Sequence, residues 1–283
     1  MTHFRRAALV LVVAVLAGAC GGETTSSQSP TQPSGTETSE SPSPTPTPEP
    51  SESPTATPSE EAPHNPAAFV EGEPYEPVID PADFVTVIDN PYFPLTPGTT
   101  LVYEGESDGE QERVEVTTTH DTKQILGITA IVVHDQVFVE GDLAEDTFDW
   151  YAQDRWGNVW YLGEDTKELD GGEVVSTEGS WEAGVDGAQP GIIMLADPLV
   201  GDTYRQEFYA GEAEDMASVI ALDESVEVTF GSFDQVLVTE DSTPLEPKLL
   251  EHKLYANGIG VVMEELVKGG SEMLELIEVR TDG

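Results

Sequence analysis

Between residues 67 and 283 the apolar side chains fall in short runs that turn-forming residues separate. Residues 113–119 alternate with the period of two that marks a half-buried strand, and residues 128–139 form a largely apolar run suited to a central strand. Apolar spacing with the helical period is weak, and the best helical candidate, residues 212–222, would give one or two turns. Strands at this spacing, with Gly and Pro between them, favour antiparallel pairing over βαβ units. The sequence therefore predicts an all-β fold, a single antiparallel sheet domain built as an open barrel or a sandwich.

Further strands follow from the same pattern, and one pair of them suggests a hairpin. Residues 154–157 (DRWG) form the expected turn between two of these runs. Residues 67–90 should be an irregular arm that packs on the sheet through Phe69, Val70, Phe84, Val85 and Val87. The additional strands are expected at residues 101–104, 147–152, 158–162, 203–209, 225–230, 234–240, 248–256, 259–267 and 273–280.

The N-terminus has the pattern of an export signal. Arg5 and Arg6 precede thirteen apolar or small residues, 7–19, and Cys20 follows directly. This run is too short to span a bilayer, which takes about 20 residues, but it fits the apolar core of a signal peptide. Residues 16–20 (LAGAC) resemble the lipobox of bacterial lipoproteins, with Leu16 one place earlier than is usual and Ala17 in the usual position of Leu. We therefore expect residues 1–19 to be a lipoprotein signal peptide.

Cys20 is the only cysteine of the chain, so no intramolecular disulfide can form. A thiolate is nucleophilic enough at neutral pH to accept a lipid group. The alternatives are an ordinary signal peptide with a coincidental cysteine, or a buried free thiol. Lipidation is the favoured interpretation, and it predicts a protein attached to the cell membrane through Cys20, on the extracytoplasmic face.

Residues 20–66 read as a disordered linker that begins with the lipidated cysteine. This stretch holds 11 of the 21 prolines and consists mainly of Ser, Thr, Pro, Gly, Gln and Glu. Such a composition cannot bury enough apolar surface to offset the entropy of ordering. A spacer is the favoured role, with a docking motif or a glycosylated stalk as the alternatives. The β domain is then expected over residues 67–283.

The charge of the chain excludes some classes of partner. The formal net charge is −44, and residues 64–283 carry 48 of the 55 acidic side chains but nine of the 11 Lys and Arg residues. Nucleic acid is excluded because phosphate binding needs clustered Lys and Arg. Anionic lipid would repel the folded surface. Cations, basic proteins, neutral surfaces and other cell-envelope material remain as partners.

Two segments carry a resemblance to a known family. Residues 90–98 (NPYFPLTPG), followed by residues 101–104 (LVYE), and residues 255–262 (YANGIGVV) are similar to two signatures of a family of exported bacterial β-sheet proteins of uncharacterised function. The resemblance covers roughly residues 88–280. It implies an all-β fold and an extracytoplasmic location, and it brings no catalytic residues.

The sequence lacks the motifs of the common catalytic sites. No Gly-x-Ser-x-Gly elbow occurs, and the glycines at 258 and 260 lack the third glycine of a dinucleotide site. His120, His134 and His252 do not have the close spacing of a zinc motif, and structural histidines are the favoured interpretation. Calcium could bind the acidic residues of 140–149 or 164–170, but a solvated acidic surface is favoured there. We therefore predict no cofactor and lean against an enzyme.

The tryptophans are the remaining candidates for a binding site. All four lie between residues 150 and 181, and Trp156 falls at the expected hairpin tip. Their flat apolar faces suit stacking on a ligand, although packing across the hairpin is the favoured alternative. Trp150, Trp156 and Trp160 are thus the ligand-contacting candidates of a tethered binding domain. The alternative functions are an envelope carbohydrate hydrolase with paired carboxylates, or a lipid carrier with an apolar cavity.

Overall fold

The computed structural model describes residues 65–282, which form nineteen strands and one short 3₁₀ turn, Pro81–Asp83. The strands are β1 (Phe84–Val85), β2 (Ile88–Asn90), β3 (Phe93–Leu95), β4 (Thr99–Ser107), β5 (Glu110–Ile125), β6 (Ile128–Val139), β7 (Asp142–Asp154), β8 (Val159–Asp165), β9 (Glu168–Asp170), β10 (Glu173–Ser176), β11 (Trp181–Glu182), β12 (Gln189–Met194), β13 (Thr203–Arg205), β14 (Glu207–Phe208), β15 (Met216–Val228), β16 (Gly231–Ser242), β17 (Leu250–Ala256), β18 (Gly260–Lys268) and β19 (Glu272–Thr281).

All strands except β2 and β3 belong to one 17-stranded antiparallel sheet. Two runs of consecutive hairpins, β4 to β8 and β15 to β19, are joined where β19 pairs with β4. At the far side β12 pairs with β8 and with β14, while β13 pairs with β15. Residues 203–208 therefore connect the two free edges, and the sheet is nearly closed into a barrel. The predicted all-β fold is confirmed, in its open-barrel form.

The strands bury alternate positions, as their period of two requires. In β6 the buried residues include Val133, Asp135 and Val137, and in β17 they are Glu251, Lys253 and Tyr255 together with Ala256. Aromatic residues fill much of this buried side: Tyr151 stacks on Tyr161 at 4.8 Å between ring centroids. The core is therefore a mixture of aliphatic, tyrosine and carboxyl side chains.

Two local expectations from the sequence are corrected. Residues 216–222, within the helical candidate 212–222, lie in β15, because the alternation of buried Ala217 and Val219 with more exposed neighbours is satisfied by pairing with β16. In the arm before the sheet, Val70, Val85 and Val87 are exposed, whereas Phe84 packs edge-on against Trp160. Within residues 65–282, no helix is long and apolar enough to cross a membrane.

Candidate functional site: an outer acidic groove and a carboxyl-lined interior

A groove of about 520 Å³ lies at one end of β4, β5 and β6. Arg113 stands opposite Glu104 on β4 and opposite Phe138 on β6, so the three side chains share one face of the sheet. The groove is lined by Glu104, Gln111, Glu112, Arg113, Glu115, Phe138, Glu140 and Gly141. Its walls thus carry four carboxyl groups, one guanidinium and one aromatic ring.

Arg113 partly neutralises this groove. Its Nη1 donates to Glu104, and its Nη2 donates to Oε1 of Glu115 at 2.7 Å. The bond to Arg113 is the main reason why the pKa of Glu115 is lowered, so Glu115 is ionised. Glu140 accepts the backbone N–H of Gln111 at 2.8 Å. Nη1 of Arg280 also lies 3.4 Å from Oε2 of Glu115. The exposed or half-buried carboxylates Glu104, Glu115 and Glu140 still exceed the Arg113 guanidinium of the groove in number, so the groove favours a positively charged ligand.

The buried side of the sheet is unexpectedly acidic. Among the described residues, twelve carboxylic side chains are buried, whereas Lys253 is the one buried basic side chain. The buried acids are Glu112, Asp135, Glu145, Asp149, Asp154, Glu164, Glu207, Asp215, Asp241, Glu251, Glu264 and Glu272. Removing a carboxylate from water costs several kcal/mol, so this composition requires hydrogen bonds, pairing or protonation.

Asp149 and Glu164 form a carboxyl pair across β7 and β8. They are register partners, and the hydroxyl of Tyr161 donates to Asp149 at 2.7 Å. The register shifts between this pair and the Tyr151–Tyr161 pair, where Gly163 has a φ of +128°. This bulge places both Tyr161 and Glu164 on the buried side. Burial is the main reason why the pKa of Asp149 is raised to about 7, and it also raises the pKa of Glu164.

Lys253 is the centre of a second buried cluster. Its Nζ lies 3.4 Å from Oε2 of Glu251 and 3.6 Å from Oδ2 of Asp241. A small cavity of about 20 Å³ adjoins these groups, which is room for about one water molecule. Burial raises the pKa of Glu251 to about 8 and that of Glu264 to about 7, although the Lys253 charge opposes both shifts.

Other buried carboxyl groups share the same behaviour. Burial raises the pKa of Glu112 and Glu145 to about 7 and that of Glu272 to about 8. The pKa of Asp135 is also raised, mainly by burial and next by the charge of Asp149. Both carboxyl oxygens of Glu112 are buried with no hydrogen-bond partner. Much of the interior is therefore protonated near neutral pH, and the formal charge overstates the charge of the folded domain.

Asp154 differs from these groups because both of its carboxyl oxygens accept hydrogen bonds. Its Oδ1 accepts the backbone N–H groups of Trp156, Gly157 and Asn158, and its Oδ2 accepts Nε1 of Trp160 at 3.0 Å. The predicted turn at residues 154–157 is thus present, and Asp154 holds it.

The three tryptophans named from the sequence occupy different environments. Trp150 is buried, with Nζ of Lys123 3.0 Å from its ring centroid. Trp160 is buried and bonded to Asp154, whereas Trp156 is half-buried beside the Arg155 guanidinium at 4.6 Å. Ligand contact by these residues stays a prediction, and Cys20 lies outside the described residues.

Two of the three described histidines, His134 and His252, lie beside carboxylates, whereas His120 is exposed. Nε2 of His134 lies 2.7 Å from Oδ1 of Asp146, and its ring stacks on Phe148 at 4.3 Å. His252 lies 3.6 Å from Glu240. Within residues 65–282, no three His, Cys, Asp or Glu side chains are arranged to hold a metal ion.

Comparison with known proteins gives two solved structures. The chain matches no family model and no curated protein. A protein of Bacteroides fragilis NCTC 9343, described as exported and of YmcC-like fold, is 14% identical over 67% of this chain and 99% of its own, with a TM-score of 0.41. A protein of Parabacteroides distasonis ATCC 8503, described as a lipoprotein, is 11% identical over 67% of this chain and 98% of its own, with a TM-score of 0.38.

The groove and the buried acids were not found by sequence reasoning. Residues 140–149 and 164–170 were expected to be a solvated acidic surface, yet Glu145, Asp149 and Glu164 are buried. A signal was present: Asp149 and Tyr151, like Lys253 and Tyr255, occupy alternate positions of one strand. An acidic residue that lies two positions along a strand from a buried aromatic residue is on the same face of the sheet.

Proposed function

We propose that this protein is a lipid-anchored bacterial lipoprotein whose β domain, outside the cytoplasmic membrane, binds an extended basic segment of a protein partner. The observation that carries the binding proposal is the groove of about 520 Å³, in which the carboxylates of Glu104, Glu115 and Glu140 outnumber the Arg113 guanidinium. Lys and Arg side chains of a ligand would meet the carboxylates, and one of them could stack on the ring of Phe138.

The lipid anchor is supported by the sequence of residues 16–20 and by the single cysteine. Residues 20–64 lie outside the described residues. A spacer of about forty residues, if extended as polyproline, would reach on the order of 100 Å and hold the domain away from the bilayer. A Cys20→Ser variant should lose fatty-acid labelling and leave the membrane fraction. Labelling equal to that of the wild type would disprove the anchor.

The two alternative functions draw less support from the geometry. Asp149 and Glu164, a carboxyl pair close to the tryptophan-rich hairpin, are buried and face Tyr161, so a glycosidic bond could not reach them. A lipid carrier needs an apolar cavity of several hundred Å³. The groove has that volume, but its walls are charged.

The groove is tested with a pentalysine peptide as the probe. Isothermal titration at low salt should detect binding by the wild type, and added salt should weaken it. The double variant Glu104→Gln/Glu140→Gln removes two exposed charges from the groove and should weaken binding by about two- to thirtyfold.

The matched control is Glu224→Gln/Glu227→Gln, which removes two exposed charges from β15. This variant should bind the peptide as the wild type does. Equal weakening in both variants would mean that net charge alone attracts the peptide, and an absence of wild-type binding at low salt would overturn the proposal.

A further inference from the structure

The sheet is closed along a short seam between β12 and residues 203–208. Two register pairs, Gln189 with Phe208 and Pro190 with Glu207, join β12 to β14. Pro190 has no backbone N–H to donate. A Cβ on Gly191 would come within 2.2 Å of the Gln206 backbone, so the two strands meet only because this residue is glycine. The hydroxyl of Tyr75 also donates to the carbonyl oxygen of Pro190 at 2.7 Å, and its ring packs edge-on against Phe208. The two strands are thus joined over a short length, with little room for rearrangement.

Glu207 lies in the seam, and its side chain is fully buried. Its Oε2 accepts Nε1 of Trp181 at 2.8 Å, and its Oε1 has no hydrogen-bond partner. The titratable groups that interact with it from the neighbouring elements are all acidic: Asp149 and Tyr151 on β7, Tyr161 and Glu164 on β8, and Asp215 before β15. None of these groups is a cation, so an ionised Glu207 would be a buried charge without a counter-ion among them.

We propose that the seam is a proton-dependent closure, in which β14 stays on β12 while the Glu207 carboxyl group carries a proton and separates from it when that proton is lost. The proton leaves to water as the seam opens, and the carboxylate gains the hydration that the closed seam denies it. Whether the sheet is closed at this seam would then depend on the pH outside the cell membrane.

The direction of the pH dependence follows from linkage. Burial, and after it the charge of Asp215, holds the pKa of Glu207 well above 4.5, while the Trp181 indole N–H and the backbone N–H of Asp215 oppose the shift. The closed seam binds a proton that the open seam releases at any pH above about 4.5. The opening constant should therefore rise by up to about tenfold per pH unit, from about pH 4.5 until the closed-state pKa is reached.

Hydrogen exchange of the full chain between pH 5 and pH 8 tests this closure. After correction for intrinsic exchange, protection of the amides in β12, β13 and β14 should fall by up to about tenfold per pH unit. Glu207→Gln, a neutral isostere of the protonated acid, should remove most of the pH dependence of protection in these three strands. Glu272→Gln, which neutralises a buried acid outside the seam, should keep the wild-type profile.

A flat wild-type profile, or an unchanged pH dependence in Glu207→Gln, would overturn the proposal. If Glu207→Gln does not fold, Trp181→Phe gives a second test. It removes a donor that favours the ionised acid and so raises the closed-state pKa, and the fall in protection should therefore continue to higher pH than in the wild type. A uniform loss of protection at every pH would assign Trp181 a packing role and would also count against the proposal.

Discussion

Gly163 lies directly against the backbone of Trp181: a Cβ on Gly163 would come within 2.2 Å of the Trp181 carbonyl oxygen. The close approach lets β11 pair with β8, where Trp181 is the register partner of Glu164. The bulge at Gly163 thus holds Glu164 beside Asp149 and Trp181 beside Tyr161.

Gly163→Ala should therefore destabilise the domain by at least about 3 kcal/mol, because it combines a positive φ with a backbone clash. Gly172→Ala is the matched control: Gly172 has a φ of +83° but no atom within 4 Å of its Cβ, so the loss should be about 1 kcal/mol. Urea unfolding of both variants measures the difference. Equal losses of stability in the two variants would show that the clash with the Trp181 backbone adds nothing to the destabilisation.

The loss of stability caused by replacing the buried ammonium group of Lys253 is expected to depend on pH. Lys253→Met removes the cation that Asp241, Glu251 and Glu264 face, and it should cost about 3–5 kcal/mol at pH 8. At pH 5 Glu251 and Glu264 are protonated, so the loss should be clearly smaller. Urea unfolding at the two pH values measures this difference.

Lys123→Met is the control for the loss of one lysine. Lys123 is partly exposed and pairs with Glu182 at 2.8 Å, so its replacement should cost about 1 kcal/mol or less at either pH. A Lys253→Met loss that is the same at pH 5 and pH 8 would contradict the proposed charge state of its partners.

The whole domain should be most stable in mildly acidic solution. For Glu145, Glu251, Glu264 and Glu272 the folded-state pKa is about 7 to 8, against 4.5 when unfolded. Between these values the folded state binds more protons, so the free energy of unfolding falls as the pH rises. A single shift from 4.5 to about 7 corresponds to about 3 kcal/mol, and coupling prevents simple addition.

Urea midpoints measured from pH 5 to pH 8 should decrease steadily. Glu115, whose pKa is lowered by Arg113, acts in the opposite direction but only below its ordinary pKa, so it does not mask this trend. A midpoint that rises over this range would show that the buried carboxyl groups are stabilised in their ionised form.

The strands could be predicted from the sequence because each hairpin carries a local signal. The run of residues 128–139 has the same bounds as β6, and the DRWG turn is held by Asp154. The seam could not be predicted, because pairing of β12 with both β8 and β14 is non-local and leaves no periodic signal. In residues 216–222 the pairing with the next strand, β16, overrides a weak helical pattern.

The two signature segments show what could and what could not be predicted from the sequence. The backbone N–H of Gly258 donates to the carbonyl oxygen of Pro91 at 2.7 Å, so residues 90–98 and 255–262 meet in the fold. The sequence indicated turns in both segments, but it did not indicate that the two segments are in contact. The buried acids were missed because a carboxyl group is normally assigned to solvent, whereas here its protonation permits burial.

The central claim, that the interior is closed around protonated carboxyl groups, is tested most directly by a ¹³C NMR titration of the Asp and Glu side chains between pH 3 and pH 9. We expect the carboxyl carbons of Glu112, Glu145, Asp149 and Glu264 to titrate with midpoints near 7, and those of Glu251 and Glu272 near 8. Midpoints near 4 for these groups in the folded protein would contradict the account.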